Sequence, residues 1–275
     1  MSGETFYKMC GSGNDFVFLD GRETDVSRWP ADRIRRTCAR ATGVGADGLV
    51  ILAPGSSPGA VRFHFYNADG SRGEMCGNGA LCATRLSAHL QLADPGEVCL
   101  ETDAGLVRGR VDPGGGPRAE LSLPDVGRVA APQIDREPGE EAAGFALVGV
   151  PHIVVPVEDV DAVDLGIRGR ELRSHPGAGA AGANVNFVAR SDQGWAMRTY
   201  ERGVEGETLA CGTGAVACAT ILAGRGITRL PWSVRSRAGS ILTVSGSLGA
   251  DGRLHDPRLS GEARLVFMGV LGPDA

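Results

Sequence analysis

The sequence of 275 residues contains no apolar run near the roughly 18 residues that a membrane-spanning helix needs. A net charge of -5 and an isoelectric point near 5.6 leave no basic excess. The charge balance therefore argues against nucleic-acid or anionic-membrane partners. Residues 1–8 show no basic segment followed by an apolar one, so we expect no signal peptide and a cytoplasmic protein.

The seven cysteines include no pair with C-x-x-C spacing, which speaks against a zinc cluster or a redox dithiol motif. We therefore expect no bound metal and, in a reducing compartment, free thiols. Four of the cysteines are interpreted as small buried apolar residues, namely Cys38, Cys82, Cys99 and Cys218.

Two similar segments remain, at residues 76–81 (Cys-Gly-Asn-Gly-Ala-Leu) and 211–216 (Cys-Gly-Thr-Gly-Ala-Val). In each, a cysteine and two glycines precede a helix-forming run. The first N–H groups of such a helix are unpaired and attract anions, and the same field favours the thiolate of a nearby cysteine. We interpret the pair as a carboxylate site between two helix starts, with Cys76 and Cys211 on opposite sides of the adjoining carbon.

The duplication predicts two domains, which a chain of this length and a hydrophobic content of 42% can support. Each half reads as strands, a cysteine-led helix and further strands. The second helix is apolar nearly all round and must be buried on all sides. We expect an α+β fold of two pseudo-symmetric domains, each a curled, mostly antiparallel sheet around a central helix, with the helix starts facing a shared cleft.

Three local predictions accompany this fold. Residues 10–15 are predicted as a loop between two strands, and residues 32–40 as a helix. The Pro151-His152 pair is predicted to break two later strands apart. The proline-rich and acidic region 124–144 marks the domain boundary at its start.

The chain resembles the diaminopimelate epimerase family, in motifs that follow the family's order almost from end to end. They lie at residues 11–16, 67–70, 76–79, 151–152, 201–203 and 207–214. The resemblance implies the family's two-domain fold, in which the last strand, from about Glu262, returns to the first domain. The expected domains are residues 1–123 together with 262–275, and residues 124–261.

The resemblance also implies a function: cofactor-independent interconversion of LL- and meso-diaminopimelate, for lysine and peptidoglycan-precursor biosynthesis. It assigns Cys76 and Cys211 as the acid/base pair, without pyridoxal phosphate or metal. The substrate-binding residues that it implies are Asn14, Asn67, Gly77, Asn78, Asn184, Glu201, Arg202, Gly212 and Thr213. The backbone of the dipeptides Gly77-Asn78 and Gly212-Thr213 would bind a carboxylate.

His152 and Glu201 are candidate catalytic residues that tune the thiols. Each polar candidate also has a structural reading. His152 can be a satisfied histidine after a proline turn, and Arg202 can form a surface ion pair with Glu201. Asn67 and Asn184 stand at strand ends, where asparagine is a common turn former.

The chain departs from the family pattern at three positions: Cys10, where histidine is common, Gly48, where glutamine can occur, and Val150, where asparagine often stands. A valine side chain cannot donate a hydrogen bond. Two alternatives stay open. One is a racemase of the proline or hydroxyproline type, which usually has histidine in place of Asn78. The other is a non-catalytic amino-acid-binding module. A small-molecule substrate is the expected partner, and a second copy of the chain, in a homodimer, is a candidate.

Overall fold

The computed structural model describes residues 3–114 and 116–272. Residues 1–2, 115 and 273–275 of the predicted domain ranges lie outside the described residues. The chain divides into two compact units: unit 1, Met1–Leu121 with Ser260–Ala275, and unit 2, Ser122–Leu259.

Eighteen strands and four α-helices are formed by the described residues. The first elements are β1 (Thr5–Gly11), β2 (Asn14–Asp20), α1 (Ala31–Cys38), β3 (Gly48–Pro54), β4 (Ala60–Asn67), β5 (Arg72–Gly73), α2 (Gly77–His89), β6 (Val98–Thr102), β7 (Gly105–Val111) and β8 (Arg118–Ser122). They are followed by β9 (Val129–Ala130), β10 (Gly144–Val148), β11 (Val150–Pro156), α3 (Arg170–Arg173), β12 (Asn184–Ser191), β13 (Gly194–Glu201), β14 (Gly206–Thr208), α4 (Gly212–Gly224), β15 (Trp232–Arg235), β16 (Ile241–Leu248), β17 (Leu254–Glu262) and β18 (Arg264–Val270).

Unit 1 is a mixed sheet wrapped around α2. The helix contacts β1, β2, β3, β4, β6, β7 and β18, and its residues from Ala80 to Thr84 are fully buried. On the other side of the sheet, α1 packs Ile34 and Cys38 against strand residues such as Leu49. Strand β18 pairs antiparallel with β1 and therefore belongs to this unit.

Unit 2 repeats this plan around α4. The helix contacts β10, β11, β12 and β16, and its residues from Gly214 to Leu222 are all buried, as a helix apolar on every side must be. A second apolar cluster, which includes Phe187 and Leu172, covers the opposite face of β12 with α3 and the preceding π-helical turn. In both units, a 13-residue helix begins directly after a cysteine.

Some local predictions need correction. The loop predicted at residues 10–15 is a two-residue turn, because Ser12 and Gly13 have φ of 51° and 108° and allow β1 to pair with β2 from Gly11 and Asn14 onward. The helix predicted at residues 32–40 begins at Ala31 and ends at Cys38.

The Pro151-His152 pair lies inside β11, and Gly149, with φ of 67°, is the residue that separates β10 from β11. Proline is accepted there because the pairing with β12 begins only at His152, so Pro151 has no partner on that side. Of the cysteines expected to be buried, Cys99 is partly exposed, because it points to the outer side of β6. Within the described part of the chain, every helix is too short or too polar to cross a membrane.

Candidate active site

The two cysteines that the sequence singles out occupy equivalent places at the starts of the central helices. Cys76 precedes α2 with φ and ψ of -136° and 120°, and Cys211 precedes α4 with -128° and 107°. No side chain of the described residues caps either helix start, so the first-turn N–H groups remain available to a ligand. Each unit therefore presents a thiol next to a set of anion-seeking donors.

The second glycine of each motif lies directly under the thiol. A Cβ at Gly79 would stand 3.4 Å from Cys76 Cβ and 3.7 Å from its Sγ, which are ordinary contacts. At Gly214 a Cβ would stand 3.2 Å from Cys211 Sγ and would overlap Asn186 Oδ1. The helix start in unit 2 is thus packed more tightly than its counterpart in unit 1.

A chain of amides leads from the β1–β2 turn to α2 in unit 1. Asn78 Nδ2 donates to Asn14 Oδ1 at 2.7 Å, and Asn14 Nδ2 donates to Asp47 Oδ2 at 3.0 Å. Asn78 is buried, and its Oδ1 accepts no hydrogen bond from the described residues. A buried acceptor without a donor is costly, so this oxygen is an available contact for a ligand N–H group.

Asp47 belongs to a cluster of charged residues that also includes Arg40, Asp15 and Lys8. Arg40 donates to Asp15 and Asp47 at 2.8 and 2.6 Å, and Lys8 Nζ donates to Asp15 at 2.6 Å. Burial raises the pKa of Asp15, but the hydrogen bonds from Arg40 and Lys8 outweigh this effect and leave the pKa lower than usual. The ion pairs hold Asp47 in place, and Asp47 in turn holds the Asn14 amide by accepting its hydrogen bond.

The other positions of interest in unit 1 are the exposed Asn67 and two departures from the family pattern, Cys10 and Gly48. Asn67 is exposed at the end of β4 and donates to Ser71 Oγ at 3.0 Å. Cys10 is paired with Arg264 across β1 and β18. At Gly48 there is no space for a side chain, since a Cβ would stand 2.7 Å from the Tyr66 carbonyl oxygen.

In unit 2 a buried histidine is linked to the second cysteine. His152 Nε2 lies 3.1 Å from Thr213 Oγ1, which lies 3.6 Å from Cys211 Sγ. Burial, together with the charge of Arg202, lowers the pKa of His152 to about 3. The histidine is therefore neutral at physiological pH. The proline turn considered from the sequence does not form, because His152 lies within β11, and its ring nitrogens contact Thr213 and Asn186.

The remaining unit 2 candidates cluster where β13 ends. Asn184 Oδ1 accepts from the Arg202 backbone N–H at 2.8 Å, and Arg202 Nη1 donates to the carbonyls of Ala181 and Gly182, both at 3.4 Å. Burial raises the pKa of Glu201. Among the described residues no carboxylate pairs with the Arg202 guanidinium, so the ion pair with Glu201 considered from the sequence does not form.

The structure also brings in two residues that sequence reasoning did not single out, Asn186 and Thr199. Asn186 Nδ2 lies 3.1 Å from His152 Nδ1, and Thr199 Oγ1 donates to Asn186 Oδ1 at 3.0 Å. A usable signal existed, because Asn186 follows Asn184 by two residues and therefore shares its face of β12. Val150, the third departure from the family pattern, is half-buried at the start of β11.

The fold, two units that each enclose a cysteine-led helix, is shared with proteins of known structure. A solved structure of a PhzF-family phenazine biosynthesis protein from Bacillus anthracis aligns with a TM-score of 0.73, covering 99% of this chain and 100% of that chain. The two sequences are 12% identical, so this similarity establishes the fold alone. The predicted fold, an α+β pair of helix-enclosing units, is confirmed.

Sequence comparison is more specific. The profile of the family described as diaminopimelate epimerase matches residues 6–118 and 144–246. A diaminopimelate epimerase from Gemmatimonas aurantiaca is 44% identical over 277 residues, which cover 97% of this chain and 99% of the relative. One from Aquifex aeolicus is 40% identical over 281 residues, or 98% of each chain. The chain belongs to the diaminopimelate epimerase family and is accordingly an isomerase, as its sequence motifs predicted.

Proposed function

We propose that the protein interconverts LL- and meso-diaminopimelate with Cys76 and Cys211 as its acid/base pair. The observation that carries the proposal is the equivalent placement of the two thiols, each directly before an uncapped central helix, in a chain of this family. The reaction serves lysine and peptidoglycan-precursor biosynthesis. It uses only the side chains and backbone of this chain.

The proposed chemistry moves one proton on and one proton off the α-carbon. The thiolate of one cysteine takes the α-proton from one face, so the C–H bond breaks and an S–H bond forms. The electron pair shifts into the carboxylate, where the N–H groups of both helix starts stabilise it. The thiol of the other cysteine then gives its proton to the opposite face. The two roles exchange when the substrate has the opposite configuration.

Residues around the thiols supply substrate recognition. The backbone of Gly77-Asn78 and of Gly212-Thr213 binds the reacting carboxylate, and Asn78 Oδ1 accepts from the substrate ammonium group. This role is supported by the buried oxygen that has no donor of its own. The further contacts assigned by the proposal are Asn14, Asn67, Asn184 and Glu201.

Arg202 would bind the distal carboxylate. Its guanidinium offers a planar pair of donors, and no described carboxylate occupies them. His152 and Glu201 complete the site by tuning the thiols. His152 does so as a neutral group, which agrees with its lowered pKa.

The main rival is a racemase of the proline type, which shares the two cysteines. Asn78 argues against it, because that family usually has histidine there, and a proline substrate offers no second carboxylate to Arg202. The non-catalytic binding module is disfavoured because both cysteines are present at their helix starts.

The test is α-proton exchange in heavy water. Purified protein should replace the α-proton of LL-diaminopimelate with deuterium and form the meso isomer, followed by proton NMR. Cys76→Ser and Cys211→Ser should each lower the inversion rate by roughly 10²–10⁴-fold or more, because a hydroxyl is too weak an acid to provide the base. Circular dichroism checks that both variants fold. Faster exchange of proline than of diaminopimelate, or near-normal inversion by either variant, would contradict the proposal.

We further propose that the enzyme works in the cytoplasm as a homodimer. A reducing compartment keeps both reacting thiols reduced. The homodimer is supported by the β18 patch, which we define as Val266, Met268 and Val270, three neighbouring apolar side chains of β18 that are 49%, 53% and 65% exposed. A contiguous exposed apolar surface of this kind is typical of a protein–protein contact.

A further inference from the structure

The hydrogen bonds around His152 have directions that chemistry alone determines. The carbonyl oxygen of Ile153 lies 3.0 Å from Asn186 Nδ2 and can only accept. The amide nitrogen of Asn186, and not its oxygen, must therefore face β11. Thr199 fits this orientation, because its hydroxyl donates to Asn186 Oδ1 on the other side.

The orientation of Asn186 sets the tautomer of His152. The same Nδ2 group lies 3.1 Å from His152 Nδ1, and an amide nitrogen can only donate. His152 Nδ1 must therefore accept, so the single proton of the neutral ring sits on Nε2. The ring has no exposed surface, and the charged group that acts on it is Arg202, which also disfavours a second proton.

The protonation of His152 in turn determines the hydrogen bond between Thr213 and Cys211. His152 Nε2–H donates to Thr213 Oγ1 at 3.1 Å, which leaves the threonine's own proton for Cys211 Sγ at 3.6 Å. A hydrogen bond donated to a sulfur favours its charged form. We propose that Asn186 is a positioning residue which, by fixing the tautomer of His152, directs the Thr213 hydroxyl to donate to Cys211 and so stabilises its thiolate.

The packing holds this arrangement in place. Asn186 is fully buried, and its Oδ1 lies against Gly214, where a Cβ would overlap it. A flip of the amide would place its oxygen against the Ile153 carbonyl and lose that hydrogen bond, so the buried side chain keeps one orientation. When Cys211 is a thiol, the threonine hydroxyl needs only to rotate about its C–O bond, so the same residues serve both directions of the reaction.

The inference rests on the proposed function in one respect, that Cys211 is a reacting thiol. Its first test is independent of activity. Long-range proton–nitrogen NMR correlation on the whole protein, with His152→Gln used to assign the signal, should show His152 as the neutral Nε2–H tautomer at pH 7. A neutral Nδ1–H tautomer or a cationic ring would overturn the proposal, even if the protein were fully active.

The second test follows Cys211 itself. Iodoacetamide alkylation is measured against pH, and peptide mass mapping separates Cys211 from Cys76. Thr213→Val should raise the pH midpoint for Cys211 by roughly one unit, because a hydrogen bond to a charged group is lost. Thr213→Ser should restore the wild-type midpoint, and the midpoint for Cys76 should stay unchanged in both variants.

The variant Asn186→Asp should reverse the direction of the hydrogen bonds from residue 186 to Thr213. A carboxylate accepts from His152 Nδ1–H, so Nε2 becomes an acceptor and the Thr213 proton turns away from Cys211. We expect the Nδ1–H tautomer by NMR and the same upward shift of the Cys211 midpoint. If Asn186→Asp does not fold, the Thr213→Val and Thr213→Ser pair still decides. Equal Cys211 midpoints in those two variants would overturn the proposal.

Discussion

At the scale of single residues, the sequence predicted the reacting groups better than their surroundings. Cys76 and Cys211 were found because their motif occurs twice. The contacts of His152 could not be read in the same way, because they depend on the parallel pairing of β11 with β12. A pairing register joins residues far apart in sequence, and no local pattern states which strands will be neighbours.

The buried neutral His152 has a consequence for acid stability. Its pKa is about 3 in the folded protein and about 6.5 when unfolded, so the unfolded chain binds more protons between these values. Stability from this residue is therefore complete above pH ~6.5 and is lost as the pH falls, by up to ~1.4 kcal/mol per unit.

We expect the unfolding free energy to fall more steeply from pH 7 to pH 5 in the wild type than in His152→Gln. Urea unfolding at several pH values, followed by the fluorescence of Trp195 and Trp232 in unit 2, measures the two slopes. Glu201, whose raised pKa acts in the opposite sense at lower pH, is common to both proteins. Parallel slopes would show that His152 is not the group being charged.

At the scale of elements, long patterns were predicted well and short ones poorly. The helix α4 follows from its long apolar run after the glycines, whereas β5 and β9 have two residues each, too few to carry any pattern. The proline in β11 was taken as a break, although it stands near the strand start, before the pairing with β12 begins at His152. Such exceptions depend on neighbouring strands, which the sequence does not specify.

The equivalent glycines of the two central helices should respond differently to alanine. Alanine in a helix normally stabilises by roughly 0.5–1 kcal/mol relative to glycine. Gly79→Ala should show this gain or no change, since its Cβ would make only ordinary contacts. Gly214→Ala should destabilise by about 1–3 kcal/mol, because its Cβ would overlap Asn186 and crowd Cys211.

Thermal unfolding of both variants, monitored by circular dichroism, measures this difference. Gly79→Ala serves as the matched control at the corresponding helix position. Equal midpoints for the two variants would mean that the start of α4 has more room than the structure shows.

At the scale of the whole molecule, we expect a homodimer formed through the β18 patch. Met268→Glu should give a monomer at micromolar concentration, because a charge cannot be buried there without a partner. Ile227→Glu, at an apolar residue of unit 2 that is 41% exposed, is the control and should leave the dimer intact. Analytical ultracentrifugation measures both. A monomeric wild type, or a dimeric Met268→Glu, would contradict this assembly.

The pairing of β1 with β18 determines the order in which the chain can complete its parts. Lys8 pairs with Phe267, whereas unit 2 is the uninterrupted segment Ser122–Leu259. Domains fold as units while the ribosome adds residues from the N-terminus. Unit 2, although second in sequence, is therefore the first unit whose residues translation supplies in full. A nascent chain stalled after residue 259 carries a complete unit 2 and a β1 that still awaits its partner.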